Sequence, residues 1–204
     1  SCCPSWVMTA RTFYPELAEN IAESYTPMVE TAKKIKEGHE NSKVVFIGPC
    51  IAKKHEALTP ELKPYVDHVI TFEELAALFV GFDIDLAEIS ADLPITDASG
   101  LGRGYAIAGG VGKAILETAE KHHGITDVPF KRADTLEDCR AMLKELASGS
   151  SNIRLVEGMA CPGGCIGGPG TLAGIKRVRR GVSKFAESAG EYFPPVRDRM
   201  CSET

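Results

Sequence analysis

The chain has 204 residues, 44% of them hydrophobic and 25% charged, with a formal net charge of −5. That length buries a core as one domain or two small lobes, and the acidic balance argues against nucleic acid as a main partner, because phosphate binding needs a basic face. No stretch approaches the roughly 20 apolar residues that a membrane span needs. Ser1 opens the chain in place of a methionine, so a fragment of a larger, cytoplasmic protein is expected, with no signal peptide in view.

In chain order, "PELAENIAESYTPMVETAKKIKEGH" carries Leu17, Ile21, Met28, Val29, Ala32 and Ile35 at helical spacing, with a break expected at Pro27. "KVVFIGPC" is a short β-branched run ended by Gly48 and Pro49, and it reads as a buried strand. "DHVITFEELAALFVGF" reads as a strand and then a helix, with Thr71 and Glu74 spaced as a capping box. "AIAGGVGKAILETAEKHHG" ends in a helix stopped by Gly124. "DTLEDCRAMLKELASGS" is amphipathic, with Leu136, Leu143 and Leu146 on its apolar stripe. "NIRLVEGMAC" is another strand, and a last helix covers residues 172–189. Strands separated by helices predict an α/β fold with a mostly parallel sheet flanked by helices.

Seven cysteines, Cys2, Cys3, Cys50, Cys139, Cys161, Cys165 and Cys201, are an odd number and badly distributed for a disulfide framework. Metal-bound thiolates in a reducing compartment are the better reading. Cys50 and Cys161 each follow a strand, and sites in α/β sheets form beyond the carboxyl ends of strands. In "CPGGC", Gly163 and Gly164 let the backbone fold tightly enough for Cys161 and Cys165 to face one centre. With Cys3 these make four thiolates, a set that suits zinc or an iron–sulfur cluster. Paired C-x2-C knuckles are absent from the sequence, which favours the cluster.

Taken together, "SCCPSW", "FIGPCIAKKHE" and "EGMACPGGCIGGPG" strongly resemble the three signature motifs of the iron-only (FeFe) hydrogenase catalytic domain, in the family's order and across nearly the whole chain. The resemblance implies two lobes with the site in a cleft, and an H-cluster: a 4Fe–4S cubane joined by a cysteine sulfur to a diiron unit. Residues 1–204 would be a fragment of that domain, lacking its upstream part. By motif, Cys3, Cys50, Cys161 and Cys165 match the cubane ligands, with Cys165 matching the bridge to the diiron unit. Cys2 matches the thiol that passes protons. Lys53 matches a lysine that hydrogen-bonds a cyanide, Met159 a methionine packed near the bridging CO, and Glu56 a carboxylate near the outer site. Reduced ferredoxin-like carriers or fused 4Fe–4S domains would supply electrons, and maturation proteins would build the diiron unit. By itself the fragment is expected to be inactive, with or without its cluster.

Other residues have plainer readings. Cys139 falls on the apolar side of its helix as a small hydrophobe, and Cys201 sits in a polar tail. His122 and His123 favour a helix C-terminus. Lys176, Arg177, Arg179 and Arg180 form a basic run that reads as a solvated helix face, with docking of an acidic carrier as the alternative. Pro4 and Trp6 shape the first loop. The sequence also departs from the family. Ala22 stands where a serine of the proton path falls, so the relay is expected to run through Glu23 or Ser24, or to stop. Gly48 replaces a methionine, Tyr105 an aromatic near the cluster, and Pro169 a glycine. These features leave three functions: reversible H2 oxidation, a hydrogen-sensing module with a slow H-cluster, or a non-catalytic hydrogenase-like iron–sulfur protein.

Overall fold

The computed structural model describes residues 2–90 and 98–194. The first helix, α1 (Pro4–Phe13), occupies the segment expected to be a loop. Pro4 sits in its first turn, where a missing N–H costs nothing, and Trp6 and Ala10, one turn apart, face inward. A 3-10 turn (Pro15–Asn20) follows, and α2 (Pro27–Gly38) begins at Pro27. The expected break is therefore a helix start.

β1 (Val45–Ile47) leads to α3 (Ala52–Ala57) and β2 (His68–Ile70), then α4 (Phe72–Gly81). The capping box forms: Glu74 N–H donates to Thr71 Oγ1 (3.1 Å), and Thr71 N–H donates to Glu74 Oε2 (2.7 Å). α5 (Gly100–Arg103) and the turn Gly104–Ala106 precede α6 (Gly110–His123), which Gly124 stops at φ +63° as expected. Next come β3 (Phe130–Ala133), α7 (Leu136–Ala147), β4 (Leu155–Gly158), the turn Cys165–Gly167 and α8 (Ile175–Glu187).

β1 pairs with β2 and β3 with β4, both parallel, each across a helical crossover. The α/β class with parallel strands flanked by helices is what the structure has, in two lobes that carry two separate cores. One gathers Met28, Val29, Ala32, Val44, Val66 and Val69; the other Trp6, Ala10, Ala133, Cys139, Met142 and Leu143. Asp67 locks the first. Its carboxylate takes hydrogen bonds from Lys36, Val44 N–H and Lys43, which hold it well below the usual carboxylate range.

Two local expectations change. β1 is half-buried rather than buried: Val45 and Ile47 are 45% and 43% exposed on one face, while Val44 and Phe46 turn to the core. Leu136 is exposed because it lies in the first turn of α7, short of the stripe made by Cys139, Met142 and Leu143. Among the described residues, no helix is long and apolar enough to cross a membrane.

Candidate metal centre

Three backbone devices deliver the motif cysteines to one place. After β1, Gly48 N–H extends the strand ladder to Ile70 O (3.1 Å), and the chain turns through Pro49 and Cys50 into α3. Cys3 is the residue before α1, with no side-chain capping bond to occupy its thiol. α1 is held to β4 by Trp6, whose ring fills the space where a Cβ on Gly158 would stand. Beyond β4, Met159 N–H donates to Ala133 O (2.9 Å), and the chain tightens at Gly163 and Gly164, with φ +75° and +95°. This is the turn that presents Cys161 and Cys165. The loops also pack on each other, since Gly170 N–H donates to Pro49 O (2.9 Å). Asp134 Oδ2 accepts from Gly163 N–H (2.8 Å), a contact between residues 29 apart.

The thiols sense one another. Burial pushes Cys165 up to about 12, with Cys2, Cys3, Cys50 and Cys161 each adding to the rise. Burial also raises Cys161, reinforced by Cys3 and Cys50. No three His, Cys, Asp or Glu side chains among the described residues close on a single metal-ion position. Four soft thiolate donors carried on three separate loops are the donor chemistry of an iron–sulfur core, so the residues present fit the group implied by the motifs. All six described cysteines are free; Cys201 lies outside the described residues.

Lys53 of α3 is buried to 7% exposure; its Nζ donates to Glu56 Oε2 (2.7 Å) and to Cys2 O (3.4 Å). A buried ammonium needs such a partner, and Glu56 supplies it. Lys54, by contrast, points outward to Glu74. Met159 is 2% exposed, with Sδ 4.0 Å from Cys165 Sγ. Burial raises the Cys2 thiol, with Cys3 and Glu157 adding and Lys53 opposing. Tyr105 is raised by burial first and then by Cys2, which places its phenol near that thiol.

Cys2 lines a cleft of about 370 Å³ whose walls include Asn20, Ile21, Ala22 and Glu157. Glu23 and Ser24, the expected relay alternatives, are exposed and are not among its walls. The basic run Lys176, Arg177, Arg179 and Arg180 is exposed on α8, and His122 and His123 end α6.

Cys139 is fully buried, and its thiol donates to Met159 O (3.5 Å) and Ala133 O (3.8 Å). Burial lifts it from 9.0 to about 12. Above pH 9 the unfolded chain loses this proton while the folded chain keeps it. The stability present below that point is therefore lost as pH rises towards 12. The urea midpoint is expected to fall between about pH 9 and about pH 11, and more gently in Cys139→Ala. Equal slopes for the two proteins would contradict this.

Comparison with known proteins agrees with this arrangement. The family model described as "Iron only hydrogenase large subunit, C-terminal domain" matches residues 1–169. The periplasmic Fe hydrogenase large subunit of Nitratidesulfovibrio vulgaris is 29% identical over 87% of this chain and 53% of its own length. Iron hydrogenase 1 of Clostridium pasteurianum is 28% identical over 89% of this chain and 40% of its own. The chain thus spans about half, or less, of these curated relatives. An apo FeFe-hydrogenase from Chlamydomonas reinhardtii superposes with a TM-score of 0.69 at 19% identity, covering 97% of this chain and 67% of that one. That likeness shows a shared fold.

Proposed function

Because the chain belongs to the family of the iron-only hydrogenase large subunit, C-terminal domain, we propose that residues 1–204 form part of a cytoplasmic hydrogenase catalytic domain for reversible H2 oxidation. The observation that carries this reading is the placement of Cys50 just beyond β1 and of Cys161 and Cys165 just beyond β4, with Cys3 at the start of α1, which Trp6 seats on β4. Cys3, Cys50, Cys161 and Cys165 would hold a 4Fe–4S cubane, and Cys165 would carry the diiron unit. Once bound, that H-cluster would relay electrons to and from a carrier and supply the iron at which H2 is made or split.

The chain's own residues bind, orient and move protons. Soft thiolates suit iron in low oxidation states. Lys53 offers a charged donor to an anionic ligand, held in place by Glu56. Met159, itself buried, would pack against the Cys165 sulfur on one side. Cys2 Sγ, kept protonated at neutral pH by burial, donates or accepts the proton, and its cleft leads towards solvent. Electrons would come from a ferredoxin-like carrier or a fused 4Fe–4S domain, with the basic face of α8 as the surface suited to an acidic one. Maturation proteins would install the diiron unit. Six free thiols suit a reducing compartment.

Anaerobic reconstitution tests this directly. About four irons and four sulfides per chain are expected, and they should be lost in Cys161→Ser. A chain that takes up no iron, or takes it up equally in the mutant, would refute a cubane held by these thiolates.

A further inference from the structure

Arg132 of β3 and Glu157 of β4 are register partners across the parallel pair. Both reach past the strands to the same glycine-rich segment, 104–112. Arg132 Nη1 donates to Ala108 O at 2.7 Å. The two oxygens of Glu157 accept from Gly109 N–H and Gly112 N–H, each at 2.6 Å. Glu157 is buried, and a buried carboxylate is tolerated only when strong donors satisfy it. The first N–H groups of α6 are such donors, and they carry the positive end of the helix dipole.

The segment so gripped presses on the turn that carries the last two thiols. Ala108 N–H donates to Gly163 O at 2.9 Å. Gly164 comes so close that a Cβ there would lie 2.7 Å from Ala106 O. A glycine-rich loop opening a helix and followed by Lys113 invites comparison with a phosphate cradle. Its amides are already used, however: Gly109 and Gly112 by Glu157, Gly110 by Ile107 O, and Ala108 by Gly163 O. The segment is therefore a strut and not a ligand site.

We infer that Arg132 and Glu157 are positioning residues, which set the Cys161–Cys165 turn by clamping segment 104–112 from its carbonyl and amide sides. The inference deepens the proposed function, since it rests on reading that turn as ligand-bearing. Amide hydrogen exchange on the metal-free full chain tests the mechanics without requiring a cluster. In Glu157→Gln, exchange at Gly109, Gly112, Gly163 and Gly164 is expected to speed up about tenfold, while Leu155 and Met159 on the strand ladder keep wild-type rates. Glu145→Gln, which removes the exposed α7 partner of Lys131 on β3, should change none of these amides.

Should Glu157→Gln fail to fold, Arg132→Leu poses the same question by removing one bond, and Arg132→Lys should restore slow exchange at Gly163. Faster exchange at Gly109 and Gly112 alone, or equally everywhere, would overturn the inference. Failure of wild-type chain to take up iron would sink the proposed function and leave this result standing.

Discussion

Alanine at position 164 is expected to abolish iron–sulfur loading while leaving most of the secondary structure intact. Gly164 has φ 95° and ψ −158°, a region essentially reserved for glycine. Holding another residue there costs about 1–3 kcal/mol. The added methyl would also lie 2.5 Å from Ala108 N and 2.7 Å from Ala106 O, backbone atoms that cannot swing aside. The turn has to open, and Cys161 and Cys165 then separate. Gly163→Ala should be milder despite its φ of +75°, because the atoms met there are the ends of Ile175 and Arg179, at 3.1 and 3.2 Å. Iron and sulfide per chain, with the urea midpoint, measure both variants. Wild-type iron in Gly164→Ala would mean that the turn geometry is not what gathers the thiols.

Trp6→Ala should cause the largest loss of stability, about 3–5 kcal/mol, as expected for emptying a buried aromatic site. Natural domains have about 5–15 kcal/mol in total, so this loss takes much of the margin. Trp6 joins α1 to α7 in the second core and covers the bare Cα of Gly158. Without it, α1 loses its seat on β4, and the Cys2–Cys3 step that leads into α1 goes with it. Gly158→Ala should act in the same direction by pushing a methyl into the ring. Urea unfolding of both variants checks the pair, and a loss below about 1 kcal/mol in Trp6→Ala would contradict this packing.

Elements that advertise themselves through side chains were legible in the sequence. The β-branched runs at β1 and β2, the capping box of α4 and the glycine stop of α6 are local signals, and each lies where it was expected. β3 was missed because "FKRA" has no apolar alternation; its place is set by backbone pairing with β4. α1 has weak local signals, since Cys3 gives it no side-chain cap and its first turn has no acidic residue; only Pro4 at its start and the inward pair Trp6 and Ala10 mark it. α3 is too short to show a period.

At the site, the motifs named Cys3, Cys50, Cys161 and Cys165, and the structure brings them into mutual influence. It also sets Lys53 against Cys2 O, Glu56 against Lys53, and Met159 against Cys165. Glu157 and Arg132 stayed hidden, although a carboxylate inside an apolar strand already asks for buried donors. Those donors lie 45 and 48 residues away in the chain, beyond the reach of any local pattern.

The two cores have a further consequence. Cys50 hangs from the core built on β1 and β2, whereas Cys3, Cys161 and Cys165 hang from the one built on β3 and β4. Each pair closes over a short stretch of chain, so each half has the makings of its own unit of melting. A group bonded to all four sulfurs is a covalent cross-link between those units, in the way that a disulfide ties remote segments. Metal loading is then expected to act on cooperativity as well as on chemistry, by tying the two cores more tightly to each other, and a sharper urea transition in loaded than in metal-free chain would show it.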